Sequence, residues 1–237
     1  MFPTFHGLLD PFVLRGTATS GLTACFWFTD EDLDSALAWV SQWSGPSSLV
    51  LTTTASPKSA QHHTLLQHLL SVHAQMNATA LSGLSLHILH VASLSQGVPN
   101  AYLNLARLMS QTSQVVLFPE RPSSDLHHSL LAHSVTGVSD RPIYLGTSSR
   151  MTFPFKPLSP VILPRDYPVW CTERFYLFNS RSTHWEECLW QLWLNSFDEA
   201  SFIALPGWKD TTVNAVNDTS DLPGFVVGVC WSTHHNV

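Results

Sequence analysis

The chain has 237 residues, of which 44% are hydrophobic and only 12% charged, a composition typical of a globular domain with a sizeable core and not of a disordered segment. The 11 Lys and Arg residues against 17 Asp and Glu give a formal net charge of −6, so the chain lacks the basic surface that binds a nucleic-acid backbone. No apolar run approaches the roughly 20 residues of a transmembrane helix. We therefore expect neither a nucleic-acid partner nor a membrane span.

The first half of the sequence alternates between strands and helices. Continuous apolar or β-branched runs predict strands at residues 22–28, 48–53, 85–91 and 115–118. Thr29, followed by three acidic residues at 30–32, is typical of a helix start. Helical spacing of apolar residues predicts helices over residues 33–43, 59–74, 101–109 and 124–134. This alternation predicts a mostly parallel sheet with helices on both faces.

The second half has a different pattern. Prolines are frequent over residues 142–168, and because proline cannot donate a backbone hydrogen bond, we expect no central strand there. Beyond it the sequence predicts a regular segment at 174–178, a helix over 183–195 and a strand at 201–205. We predict that the chain after residue 205 is irregular, apart from an apolar stretch at 225–231.

The common sequence signatures of catalysis and metal binding are missing. The chain has thirteen histidines, but within the second predicted helix no two lie four residues apart, and His87 and His90 point to opposite faces of one strand. The four cysteines form no C-x-x-C pair, so neither set predicts a metal site. No nucleophile elbow, phosphate-binding loop or dinucleotide fingerprint is present. Common hydrolase, kinase and dehydrogenase classes are therefore disfavoured.

A series of motifs in the second half carries the strongest functional signal. An apolar strand leads into RDYP at residues 165–168 and then into ERF at 173–175. A tryptophan-rich helix, WEECLWQLWL, follows at 185–194, and then the strand sequence FIALP at 202–206. In the tryptophan-rich segment the positions with helical spacing favour a core-facing stripe over a sugar-binding platform.

The first half contains two matching segments. Residues 43–48 read WSGPSS, and the helix that starts at Pro99 and Asn100 continues as AYLNLA. Together these motifs, spread over residues 22–208, resemble the LARGE-type glycosyltransferase domain of glycosyltransferase family 49 and its fungal relatives. With that resemblance we divide the chain into an N-terminal extension (1–21), one domain (22–208) and an irregular C-terminal tail (209–237).

The resemblance implies a glycosyltransferase-A fold, in which a single α/β domain holds a nucleotide sugar at the carboxyl edge of its parallel strands. Such families hold a divalent metal on a D-x-D motif after the fourth strand, where it neutralises the departing diphosphate. Here that position reads Pro119-Glu120-Arg121, with a single acid, and the residues directly after the FIALP strand, GWKDT at 207–211, include no histidine. We therefore expect no divalent metal and no tightly bound cofactor, with a nucleotide sugar as the donor and a glycan as the acceptor.

The resemblance also implies site residues for a metal-independent hexosyltransferase. Glu173 is the expected general base or acceptor-orienting carboxylate, and Arg174 holds it or an acceptor oxygen. The residues expected to bind the nucleotide sugar are Asn100, Glu120, Arg121 and Trp208. Cations that could stabilise the diphosphate in place of a metal are Arg107, Arg121 and Lys209.

The alternative is a catalytically inactive relative that serves as a glycan-binding or partner-interaction module. In that case Glu173 and Arg174 form a structural ion pair. The resemblance implies the Golgi or secretory pathway. The N-terminal residues do not read as a signal peptide, so we expect either a cytoplasmic protein, if the chain is full length, or a targeting segment outside this sequence. We expect Cys171 and Cys188 to be buried free thiols, with a disulfide as the alternative in an oxidising compartment. The sequence sets no expectation for the oligomeric state.

Overall fold

The computed structural model describes residues 7–43, 45–74, 82–94, 98–120, 130, 139–146, 153–172, 181–196 and 201–205. Within these ranges eight strands form one mixed sheet, and four helices cover it. The strands are β1 (Leu8–Leu14), β2 (Leu22–Thr29), β3 (Ser47–Thr53), β4 (Leu84–His90), β5 (Gln114–Leu117), β6 (Ile143–Gly146), β7 (Val161–Pro164) and β8 (Ser201–Ala204). The helices are α1 (Leu33–Gln42), α2 (Ala60–His73), α3 (Pro99–Met109) and α4 (Arg181–Asn195).

The four strands predicted in the first half form the parallel centre of the sheet. They lie in the order β4-β3-β2-β5, and each neighbouring pair is parallel. Every residue of β3 and β4 is buried, as expected of strands covered on both faces. The prediction of an α/β domain with a mostly parallel central sheet is confirmed. The predicted helix at 124–134 lies outside the described residues apart from Leu130.

The helices divide between the two faces of the sheet. One core cluster contains the buried residues of α1 with Leu69 of α2, and it packs on alternate residues of β2 such as Phe26. The other cluster contains the buried residues of α3 and α4, including Leu103 and Trp185, and packs against the intervening positions. Two layers of helix therefore sandwich the sheet, as the alternation of strands and helices predicted.

Strand β1 lies in a segment that sequence analysis assigned to an N-terminal extension. It pairs antiparallel with β4, from Leu8 opposite His90 to Leu14 opposite Leu86, and its register shifts after Asp10. Phe12, within this irregular stretch, has a φ of 54°, in the left-handed region. The resulting bulge breaks the alternation of apolar and polar residues, so residues 8–14 carry no clear strand pattern. The sheet thus begins well before residue 22.

The expectation that residues 142–168 contain no central strand is wrong. Strand β7 lies between β5 and β6 and is antiparallel to both, and β6 also pairs in parallel with β8. The prolines fall at the margins, because Pro142 precedes β6, Pro160 precedes β7 and Pro164 is the last residue of β7. The strand interiors keep their backbone donors, so proline marks the ends of these strands without preventing them.

Cys171 and Cys188 form a disulfide, which corrects the expectation of two free thiols. Their Cα atoms lie 5.0 Å apart, within the range that a disulfide spans. The Asn104 amide donates a 2.5 Å hydrogen bond to the Cys171 carbonyl, which holds this segment beside α3, while the disulfide ties it to α4. Cys25 is a buried free cysteine. No helix within the described ranges is both long and apolar enough to cross a membrane.

Candidate functional site

The carboxyl ends of the parallel strands meet at one edge of the sheet. From β2 the chain moves to β3 on one side, and it later returns to β5 on the other side of β2. In open parallel sheets, the crevice outside the carboxyl ends at such a reversal of strand order is the usual ligand-binding position. The region between Thr29 at the end of β2 and Leu117 at the end of β5 is therefore the candidate site.

Arg181 is held at the end of β5 by two hydrogen bonds. Its Nε donates to the Pro119 carbonyl at 2.9 Å, and its Nη1 donates to Oδ1 of Asn100. Because Arg181 is also the first residue of α4, the N-terminus of that helix lies beside the same loop. Sequence analysis did not include Arg181 among the binding residues, because only the fold brings it to this edge.

Asn100 connects the elements around the candidate site. It is fully buried in the first turn of α3, where its Nδ2 donates to the His184 carbonyl of α4 at 3.3 Å and its Oδ1 accepts from Arg181. Both ends of its amide therefore contact protein groups. The structure thus shows Asn100 positioning Arg181 and the start of α4, and its expected contact with a nucleotide sugar stays a prediction.

Glu120 lies exposed just after β5, close enough to Lys156 and Arg181 for their charges to act on it. Partial desolvation raises the pKa of the Glu120 carboxyl, and the charges of Lys156 and Arg181 act on that pKa in the opposite direction. Two cations around one acid favour an anionic ligand over a divalent cation. The absence of a metal beside Glu120 stays a prediction, and Mn²⁺ titration of the protein and of Glu120→Ala would test it.

On the β2 side of the edge, carboxylates are fixed by threonine hydroxyls. The Thr53 hydroxyl at the end of β3 donates to Oδ2 of Asp30 at 2.5 Å, and the Thr29 hydroxyl donates to Oδ2 of Asp32 at 3.2 Å. The residues 30–32 form a 3-10 turn that leads into α1, so the predicted helix start is confirmed. The same turn also brings acceptors for ligand hydroxyl groups to the edge of the sheet.

Arg107 was a candidate for binding the diphosphate, and the structure assigns it to another role. It is 1% exposed, and its guanidinium donates to the carbonyls of Arg165 at 2.7 Å and Val169 at 2.8 Å. It also donates to the carbonyls of Pro164 and Tyr167, and it lies 4.1 Å over the ring of Trp170. Arg107 therefore fixes the RDYP segment from beneath and is not available to a ligand.

The two expected catalytic residues, Glu173 and Arg174, lie outside the described residues, as do the expected binding residues Arg121 and Trp208 and the cation Lys209. The described chain nevertheless reaches Thr172, the residue before Glu173. The segment that leads to Glu173 is held by Arg107 and by the Cys171 disulfide. Its backbone is therefore well fixed up to that point.

A second concave surface lies on the outward side of α4. It is a pocket of about 380 Å³ lined by two aromatic residues, two acids and a hydroxyl: Phe153, Trp190, Glu186, Glu187 and Thr183. The rings of Phe153 and Trp190 lie 4.7 Å apart. Of the predicted core stripe of this helix, Trp185, Leu189 and Leu192 are buried, and Trp193 is half-buried against the same cluster. Trp190 falls out of phase with that stripe, which is the sequence signal that could have identified it as a surface aromatic.

Comparison with known proteins adds no assignment to this geometry. No protein-family model matches the chain, and no curated protein matches it. The functional conclusions below therefore depend on the motifs, the fold and the contacts described above.

Proposed function

We propose that this domain binds a nucleotide sugar at the carboxyl edge between β2 and β5 and acts as a metal-independent or weak glycosyltransferase. The observation that carries the proposal is Arg181, which Asn100 and the Pro119 carbonyl hold at the end of β5, where the strand order reverses. The family-like segment that contains Asn100 and the position of the missing D-x-D motif, at Glu120, both lie at this same edge. The proposal includes a glycosyltransferase-A fold. The parallel order of the four central strands of the sheet supports this part of it.

The chemistry of the donor fits the charges at this edge. A nucleoside diphosphate carries negative charge that increases at the leaving oxygen during sugar transfer, and it needs cations or a metal to stabilise it. Arg181 and Lys156 supply cationic groups near Glu120. The N-terminus of α4 adds a positive helix-dipole end beside the same loop. Glu173 remains the proposed base or acceptor-orienting carboxylate.

Binding of nucleoside diphosphates tests the proposal directly. We expect UDP or GDP, or one of their sugar derivatives, to raise the melting temperature with and without Mn²⁺. A ligand at about 100 times its Kd stabilises the folded state by about 2.7 kcal/mol. Replacing Arg181 by methionine should weaken this binding by at least tenfold, because it removes a charge-assisted contact that is worth roughly 1.5–3 kcal/mol.

Arg165→Met is the matched control for that experiment. It removes the same charge from a partly exposed arginine that pairs with Asp166 and donates to the Ser110 carbonyl, away from the proposed site. Nucleotide binding should be unchanged in this variant. Equal losses in the two variants, or no stabilisation by any nucleotide in the panel, would contradict the proposal.

The pocket on α4 favours a second candidate function, a glycan-binding module without catalysis. Its volume lies within the range of small-ligand sites, and it combines adjacent aromatic rings with carboxylates that accept hydrogen bonds from hydroxyl groups. This function needs neither a nucleotide nor Glu173.

Trp190→Ala tests the glycan-binding alternative. On a glycan array and by titration with the bound glycan, we expect the variant to lose binding by roughly tenfold or more, as truncation of a buried interface tryptophan does. Leu194→Ala, at an exposed apolar residue of the same helix, should bind as the parent does. Normal glycan binding by Trp190→Ala would exclude this pocket.

A further inference from the structure

Three potential metal ligands from separate elements meet at the edge of the sheet formed by β1 and β4. Asp10 lies in β1, His90 is the last residue of β4, and His62 is in the first turn of α2. Oδ2 of Asp10 lies 3.0 Å from Nε2 of His90 and 3.8 Å from Nε2 of His62. One ligand atom from each residue lies within 4.8 Å of the other two. The cluster is therefore compact enough for all three to reach one ion.

His90 has the hydrogen-bond arrangement of a metal-bound histidine. Its Nδ1 lies 2.6 Å from the Ala55 carbonyl, which can only accept, so Nδ1 carries a hydrogen. The other ring nitrogen, Nε2, points at the Asp10 carboxylate. A histidine whose Nδ1–H donates to a backbone carbonyl while Nε2 faces a cation is the usual second-shell arrangement at metal sites.

His62 leaves a polar atom without a hydrogen bond inside the cluster. Its side chain is 9% exposed, and its Nε2 is buried with no hydrogen-bond partner within the described part of the chain. Oδ2 of Asp10 lies 3.8 Å from this nitrogen, which is too distant for a hydrogen bond. Buried polar atoms in folded proteins are nearly always paired, so this atom indicates that a group can enter the cluster.

We propose that Asp10, His62 and His90 bind a divalent transition-metal ion, with Zn²⁺ as the favoured ion. Two imidazole nitrogens and one carboxylate oxygen are typical of three-ligand zinc sites, which leave the fourth position to water or substrate. Tetrahedral ligands about 2.1 Å from zinc lie roughly 3.4 Å apart, and the two contacts of Asp10 fall on either side of that value. Asp10 is 38% exposed, which gives the ion a route from solvent.

Binding requires one local rearrangement. The Lys58 backbone N–H donates to Nδ1 of His62 at 2.9 Å, so the hydrogen of the neutral ring is on Nε2. To coordinate a metal ion through Nε2, the His62 ring must adopt the tautomer with its hydrogen on Nδ1. The Lys58 N–H must then hydrogen-bond to water instead of to His62. Lys58 is exposed in a turn, where water is available. At His90, coordination through Nε2 requires that this nitrogen carries no hydrogen, so any hydrogen it shares with Asp10 is released to solvent when the ion binds.

This site is separate from the proposed nucleotide-sugar site. In the sheet, strands β4 and β3 lie between β1, which carries Asp10, and the β2–β5 pair at which the strand order reverses. Sequence analysis tested the histidines only within single elements, and it therefore missed a site that combines a strand edge, a strand end and a helix start. The metal site does not depend on glycosyltransferase activity, and either proposal can fail without the other.

The test is titration of the tag-free, chelator-treated full chain with Zn²⁺ by calorimetry, and with Co²⁺ by visible absorption. We expect one saturable equivalent and the intense visible bands of four-coordinate Co²⁺. Asp10→Asn should weaken Zn²⁺ binding by roughly 10- to 100-fold or more, because even the loss of an outer partner has that effect. His62→Gln, a second ligand variant, should do the same if Asp10→Asn folds poorly by circular dichroism.

His68→Gln is the matched control. His68 and Asp34 form an exposed histidine–carboxylate contact at 2.8 Å with no third ligand within the described ranges, so its loss should leave the saturable equivalent intact. Unchanged Zn²⁺ binding in folded Asp10→Asn or His62→Gln, or an equal loss in His68→Gln, would overturn the proposal. Binding without saturation at one equivalent would overturn it as well.

Discussion

Replacing Arg107 by methionine is expected to lower the free energy of unfolding by about 5 kcal/mol, and the variant will fold poorly or not at all at 37 °C. The Arg107 guanidinium satisfies backbone carbonyls of Pro164, Arg165, Tyr167 and Val169, and its side chain is almost fully buried. Each buried acceptor that loses its donor costs about 1–3 kcal/mol. Methionine fills similar space but donates nothing, so these losses accumulate in one segment.

Chemical denaturation with urea measures this effect, with Arg165→Met as a control. The exposed Arg165–Asp166 pair is worth about 1 kcal/mol or less, so the control should unfold near the parent midpoint. Burial lowers the pKa of Arg107 to about 10, and the side chain therefore remains charged at neutral pH. Arg107→Lys should recover part of the loss, because an ammonium keeps the charge but cannot reach all four carbonyls. A parent-like midpoint for Arg107→Met would contradict this assignment.

His87 should make the fold sensitive to mild acid. Burial in β4 lowers the pKa of His87 from 6.5 to about 4, and its Nδ1 accepts a 3.0 Å hydrogen bond from the Phe12 N–H. Protonation of Nδ1 would break that bond and introduce an unpaired buried charge. The unfolded chain binds this proton at a higher pH than the folded chain does, so stability is lost as the pH falls from about 6.5 towards 4. The total is about 3 kcal/mol for this shift.

Urea denaturation at pH 7.0, 6.0, 5.0 and 4.5 measures this dependence for the parent and for His87→Gln. The variant will be less stable at neutral pH, but it should lose less stability on acidification than the parent by up to about 1.4 kcal/mol per pH unit. His68→Gln, at an exposed histidine, should follow the parent. Because the carboxylates titrate in all three proteins, the differences between the curves isolate His87. Parallel curves for the parent and His87→Gln would contradict the assignment.

The sequence predicted the centre of the fold because β2, β3, β4 and β5 are continuous apolar runs separated by clear helix signals. It did not predict β1, whose bulge at Phe12 breaks the strand pattern, and it excluded β7, whose flanking prolines resemble those of a loop. At the candidate site, Asn100 was predicted to bind the nucleotide sugar, and its hydrogen bond to Arg181 is a contact that no sequence pattern indicated. Arg181 was missed, because its position beside Pro119 depends on how α4 packs.

The metal cluster shows the same limit of sequence reasoning. His62 and Asp10 are far apart in the chain, and neither lies at a ligand spacing from another candidate on its own element. Pattern rules detect ligands on one helix face or in one loop. Only the antiparallel pairing of β1 with β4, which no local pattern indicated, brings a carboxylate next to His90.

The pairing of β1 also decides how the sheet ends. Without it, β4 would present a fully buried seven-residue apolar strand, LSLHILH, as an open edge with unpaired backbone groups. Such an edge recruits strands from other copies and promotes aggregation. Pro11 and the bulge at Phe12 make the outer side of β1 a poor template for a further strand. Strand β1 therefore protects the chain against self-association, and a version that starts at residue 22 would lose this protection together with the carboxylate of Asp10.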